Sequence, residues 1–67
     1  MPKVGDHVFV VEDGFIWEGD IQAEGHLEWL DKDGDFCCGL GYRINGKDID
    51  ATYVFATKEE ALASLKD

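Results

Sequence analysis

The sequence predicts a mainly β fold: five antiparallel strands curled into a barrel or a strongly curled meander, followed by one short C-terminal helix. Three observations predict it. Asn45-Gly46 lies between alternating residues, the strongest short-range hairpin signal, because a two-residue type I′ loop needs positive φ at both centres. Asp13-Gly14 and Asp33-Gly34 punctuate the chain upstream and leave β-rich runs between them. Thr57-Lys58-Glu59-Glu60 has the form of a capping box that opens a helix. The chain has 67 residues, so it reads as a single domain, 1–67. Its core must be small, since folding at this size buries only roughly 60% of the surface the unfolded chain exposes.

Residues 1–4 form a lead-in, and Gly5-Asp6 introduces a strand over 7–11. Glu12-Asp13-Gly14 reads as a three-residue loop closed by a G1 bulge, with a return strand over 15–22. That loop sets Val11 opposite Phe15, Phe9 opposite Trp17 and Val8 opposite Glu18. The hairpin is then apolar on both faces, with Val8, Val10 and Ile16 on one and Phe9, Val11, Phe15 and Trp17 on the other. A sheet buried on one side needs only one such face. Gly19 is the expected bend or bulge, which lets Ile21 return to the core.

Residues 23–25 read as a connection and 26–30 as a third strand. A two-residue Asp33-Gly34 turn pairs Leu30 with Cys37, Trp29 with Cys38 and Leu27 with Leu40. Counting outward from Asn45-Gly46 pairs Ile44 with Lys47, Arg43 with Asp48, Tyr42 with Ile49, Gly41 with Asp50 and Leu40 with Ala51. Both turns put Leu27, Trp29, Cys38, Leu40, Tyr42 and Ile49 on the core face, with Val8, Val10 and Ile16 from the first hairpin. A last extended segment covers 52–56. The helix starts after Thr57 and runs to about Leu65, too short to persist alone in water. Ala61, Leu62 and Leu65 must therefore dock, on the second face of the first hairpin or over an open end of the barrel.

Charge is the strongest compositional deviation, with fifteen Asp and Glu against six Lys and Arg for a net −9. Such a balance opposes binding to phosphate backbones, so no direct nucleic-acid contact is expected. It reads either as a solubilising surface or as attraction to a basic partner. Cys37 and Cys38 are adjacent, so a strand points them to opposite faces and a disulfide between them is strained. With reduced thiols, no signal-peptide pattern and no apolar run of the ~20 residues a membrane span needs, the chain is expected to be cytoplasmic.

Candidate chemistry weakens on inspection. Asp31, Asp33 and Asp35 imitate the start of a calcium loop, but the positions that want glycine and glutamate hold Phe36 and Tyr42. His7, His26 and the cysteine pair lack the geometry of a zinc knuckle. Gly39-Leu40-Gly41 lies within a strand, not ahead of a helix, so it is no phosphate cradle. The single serine, Ser64, falls in the helix, away from either histidine. Glu18, placed opposite Val8, is a lone carboxylate and no acid–base pair. The expectation is a non-enzymatic protein without cofactor or metal.

The segments Gly5-Asp6-His7-Val8-Phe9-Val10 and Gly14-Phe15-Ile16-Trp17-Glu18-Gly19-Asp20-Ile21 resemble the opening hairpin of small SH3-like barrels, the group that includes KOW and Tudor-type domains. With Val54-Phe55-Ala56-Thr57-Lys58-Glu59-Glu60-Ala61, the chain also resembles small barrel proteins of bacteria, phages and mobile elements. The resemblance implies a fold and transfers no function. KOW domains bind RNA with basic surfaces, which this chain lacks. Tudor-type barrels hold methylated side chains in an aromatic cage, for which Phe9, Phe15, Trp17 and Tyr53 are the candidates; ordinary packing under the helix is the other reading. The expected function is a small acidic protein-interaction module, with Phe9, Phe15, Trp17, Glu18, Asp20 and Tyr53 as its binding surface. A nucleic-acid mimic that blocks a host nuclease or defence protein is the alternative, and a self-associating structural subunit, a homo-oligomer, is the third.

Overall fold

The computed structural model describes residues 2–30 and 32–66, with Trp29 described by its backbone alone. The elements are β1 (His7–Glu12), β2 (Phe15–Leu30), β3 (Phe36–Ile44), β4 (Lys47–Asp50), a 3-10 turn at Ala51–Tyr53, β5 (Val54–Phe55) and α1 (Lys58–Leu65). They form one five-stranded antiparallel sheet in the order β4-β3-β2-β1-β5. The sheet curls but does not close, because its edges are the four-residue β4 and the two-residue β5, separated by the 3-10 turn.

The Asn45-Gly46 turn forms as expected, with φ of 53° and 79°, and the register of β3 on β4 follows the count from Ile44↔Lys47 to Gly41↔Asp50. Pairing ends there. Leu40 does not meet Ala51, because Ala51 opens the 3-10 turn, with Asp50 accepting the Thr52 amide at 2.9 Å.

The first hairpin corrects the expected register by one residue. Asp13 and Gly14 both take positive φ, 52° and 82°, so the loop is a two-residue type I′ turn and Glu12 pairs with Phe15. Aspartate tolerates the left-handed region, and the primed turn matches the twist of its strands. A slip of one residue exchanges faces. Trp17 therefore stands opposite Val10 and packs against the core, while Ile16 joins Val11, and Glu18 faces Phe9, not Val8.

A second correction concerns β2, a single strand of 16 residues with no break at 23–25. Its first part pairs with β1 and its second with β3. The irregularity falls at Gln22, between the pairs Ile21↔Ile44 and Ala23↔Arg43, instead of at Gly19. The bulged Gln22 turns its side-chain oxygen to the Gly46 amide at 2.8 Å and ties the strand to the β3–β4 turn. Gly19 serves that same approach: a Cβ there would come within 2.9 Å of Asn45 and Ile44.

The connection from β2 to β3 is the third correction. Gly34 is left-handed at φ 83°, but Asp33 is not among the positive-φ residues, so no type I′ turn forms between β2 and β3. Leu30 pairs with Phe36 and Leu27 with Gly39. Leu27 and the Trp29 position thus share the face opposite Leu40. The core comprises Val8, Val10, Ile21, Tyr42, Ile44, Ile49 and Val54, with Trp17 and Ala51 packed beside it. Leu40 is 46% exposed and Cys38 is exposed, since both lie on β3 beyond the end of β4; Ile16 and Leu27 are only half-buried. The side chain of Trp29 lies outside the described residues.

Thr57 caps α1 as expected, accepting the Glu60 amide at 3.2 Å, with Glu59 and Glu60 in the first turn. The helix lies beside β1 and β5. Ala61 alone is fully buried, whereas Leu62 and Leu65 keep 45% and 39% of their surface. Its expected three-residue anchor is in fact mainly one small residue.

Candidate functional site

The expected binding surface does not assemble. Along β1 and β2, His7, Phe9, Val11, Ile16, Glu18 and Asp20 share one face, and Val8, Val10, Phe15, Trp17 and Ile21 share the other. Phe9 and Trp17 are thereby separated by the sheet, so they cannot line one cage. Phe15 is 74% exposed at the hairpin end, and Tyr53 stands apart on the 3-10 turn, half-exposed. Trp17 is mostly covered, with the Lys47 ammonium 5.7 Å from its ring centroid and reaching Glu12 at 3.6 Å. Its indole Nε1 is buried without a hydrogen-bond partner among the described residues.

Glu18 and Asp20 have a different task from the one expected. Cross-strand pairing brings His7 opposite Asp20 and beside Glu18, and its two ring nitrogens lie 2.7 Å from the Asp20 carboxylate and 3.2 Å from that of Glu18. These hydrogen bonds, Asp20 first, raise the His7 pKa above its ordinary 6.5. The protonated ring donates from both nitrogens. Phe9 meets its edge at 5.7 Å and 89°. The cluster is exposed and is a surface ion pair more than a reaction centre.

A groove of about 500 Å³ opens on another part of the molecule, between the end of the first hairpin, the last part of β2 at Leu27 and Glu28, β4 and the 3-10 turn. Its walls are apolar: Val10, Val11, Leu27, Ile49 and Tyr53. Leu27 reaches it by lying across Gly41, where a Cβ would overlap the leucine side chain and approach the Ile49 carbonyl at 2.8 Å. The rim is acidic throughout, from Glu12, Asp13, Glu28, Asp48 and Asp50, and no Lys or Arg lines it among the described residues. Three of these carboxylates are engaged: Glu12 with Lys47, Asp48 with Arg43 at 3.0 Å, and Asp50 with the 3-10 turn. Among the described residues, Asp13 and Glu28 face no cation. An apolar trough with a carboxylate rim has the chemistry to bury an aliphatic stem and neutralise a cationic head.

Of the expected site residues only Tyr53 lines this groove. Asp48 and Asp50 carried a signal in Lys47-Asp48-Ile49-Asp50, where period-2 alternation places both on one face. Nothing local joins them to Glu28 or Asp13, which arrive by tertiary pairing. Among the described residues no three His, Cys, Asp or Glu converge as a metal set, and no helix is long and apolar enough to cross a membrane. Asp31 of the calcium-like triplet lies outside them. No protein-family model matches the chain, and comparison with curated proteins and with solved structures likewise gives no match.

Proposed function

We propose that this protein is a non-enzymatic interaction module whose groove takes a basic, partly apolar segment of a partner protein. The observation that carries it is the combination in one place of five apolar walls with a rim made only of carboxylates. A small, concave, mainly apolar site with a few convergent polar groups is the default form of a binding site. The strand order β4-β3-β2-β1-β5, a long β2 shared by both halves and a 3-10 turn before β5 support an opened SH3-like architecture, with the groove between its loops.

The test is a titration of labelled protein with short synthetic peptides carrying arginine or lysine beside leucine or tyrosine, followed by amide NMR shifts. Ile49 and Tyr53 should move, and Asp13→Asn with Glu28→Gln should weaken binding roughly tenfold, the loss of two charge-assisted contacts. Asparagine keeps the left-handed turn at that position. A nucleic-acid mimic would instead lose affinity equally on Glu18→Gln and Asp20→Asn, neither of which lines the groove. Shifts centred on His7, or none at millimolar peptide, would sink the groove reading.

A further inference from the structure

Two of the five rim carboxylates already meet a cation of this chain, and the two pairs are built differently. Arg43 and Asp48 are direct cross-strand partners on β3 and β4, with the guanidinium Nε 3.0 Å from the carboxylate. Strand pairing fixes that contact. Lys47 and Glu12 have no strand pairing between them: one opens β4, the other ends β1, and the ammonium stands 3.6 Å from the carboxylate, beyond hydrogen-bond distance. Their side chains are 62% and 42% exposed. An ion pair this open shifts an equilibrium by about fivefold at most.

Lys47 has a second hold, because its ammonium lies 5.7 Å from the centroid of the Trp17 ring. Glu12, Trp17, Asn45 and Lys47 line a recess of about 270 Å³, and among the described residues Glu12 is the one that this recess shares with the groove. The Glu12 carboxylate is therefore reached from two sides, by Lys47 from the recess and by an occupant from the groove. Resting on the groove as the seat of a basic segment, we propose that Lys47 is a built-in competitor for it. An arginine of the partner takes Glu12, and the released Lys47 ammonium stays over the Trp17 ring. Chemistry selects arginine as the displacing group: its planar fork grips a carboxylate with two N–H donors, whereas Lys47 offers a single point charge. Asp48 is not exchanged, since Arg43 already holds it with a guanidinium at 3.0 Å. Glu12 thus joins Asp13 and Glu28 as a rim carboxylate open to the partner.

The test is the affinity of the intact chain for a short peptide carrying arginine beside leucine, measured by amide NMR titration. Lys47→Met keeps the aliphatic stem beside Trp17 and frees Glu12. Lys58→Met, on α1 and outside the groove, makes the same change in net charge. Lys47→Met should bind the peptide about two- to fivefold more tightly than Lys58→Met does. With Glu12→Gln added to each, the two lysine variants should bind alike, because nothing is left for Lys47 to withhold. Far-UV circular dichroism confirms that each chain is folded. Equal affinities of Lys47→Met and Lys58→Met overturn the exchange and leave the groove reading standing. An advantage of Lys47→Met that persists with Glu12→Gln also overturns it, since Lys47 then only repels the peptide. A peptide that binds none of these chains sinks both readings.

Discussion

His7 shows how two strands convert an ordinary surface residue into a pH-sensitive one. Its raised pKa means the protonated ring is favoured in the folded chain, through Asp20 first and Glu18 second. The stabilisation is fully present below the ordinary value of 6.5 and is lost as pH rises through the raised folded value. An NMR titration of the His7 ring should give a midpoint above 6.5, and Asp20→Asn should bring it back down. Trp17 makes the opposite point. Its indole nitrogen is buried with no acceptor among the described residues, a cost of about 1–3 kcal/mol in general. Trp17→Phe keeps most of the ring and removes that donor, so chemical denaturation should find it neutral or stabilising. A loss above about 2 kcal/mol would show that the nitrogen has a partner, such as an ordered water.

At the scale of elements, β2 is continuous because the bulge at Gln22 transfers it from β1 to β3, and its path is secured by close approaches at Gly19 and Gly41. Gly41→Ala should overpack against Leu27 and cost about 1–3 kcal/mol. The same change would push Leu27 from the groove wall, so peptide affinity should fall with stability. In α1 the cap is a larger share of the stability than usual, since the helix anchors on Ala61 with its leucines half-exposed. Thr57→Ala should lower the unfolding free energy by about 0.5–2 kcal/mol. An unchanged midpoint would show that packing against β1 holds the helix without its cap.

For the whole molecule, the core is a short double layer formed where the sheet curls over itself, and its extent decides which leucines and isoleucines matter. Ile44 is completely buried, and Ile44→Ala should cost about 2–5 kcal/mol. Leu40, four residues earlier on the same face, is 46% exposed and should lose far less on truncation. Equal losses would place that end of β3 inside the core. The −9 net charge acts against this small core throughout. Raising sodium chloride from about 0.01 to 0.15 M shortens the screening length from roughly 30 to 8 Å, so the melting temperature should rise. A fall would mean that the His7, Arg43 and Lys47 pairs outweigh the repulsion.

Locally encoded features were legible in the residues alone. Asn45-Gly46 demands one loop geometry, so four cross-strand pairs followed by counting, and Thr57 with Glu60 declared the start of α1. The other two turns were ambiguous because Asp-Gly suits several loop lengths, and a one-residue difference reverses every side chain beyond it. It reversed Trp17 and Ile16 in the first hairpin, and Leu27 in the second. The groove was hidden for a related reason. Its carboxylates stand on β1, β2, β4 and the first turn, far apart in sequence, and converge only because β2 bends between two partners. Composition alone determined that the surface would be acidic; the curl of the sheet decided where five of those charges would surround an apolar wall.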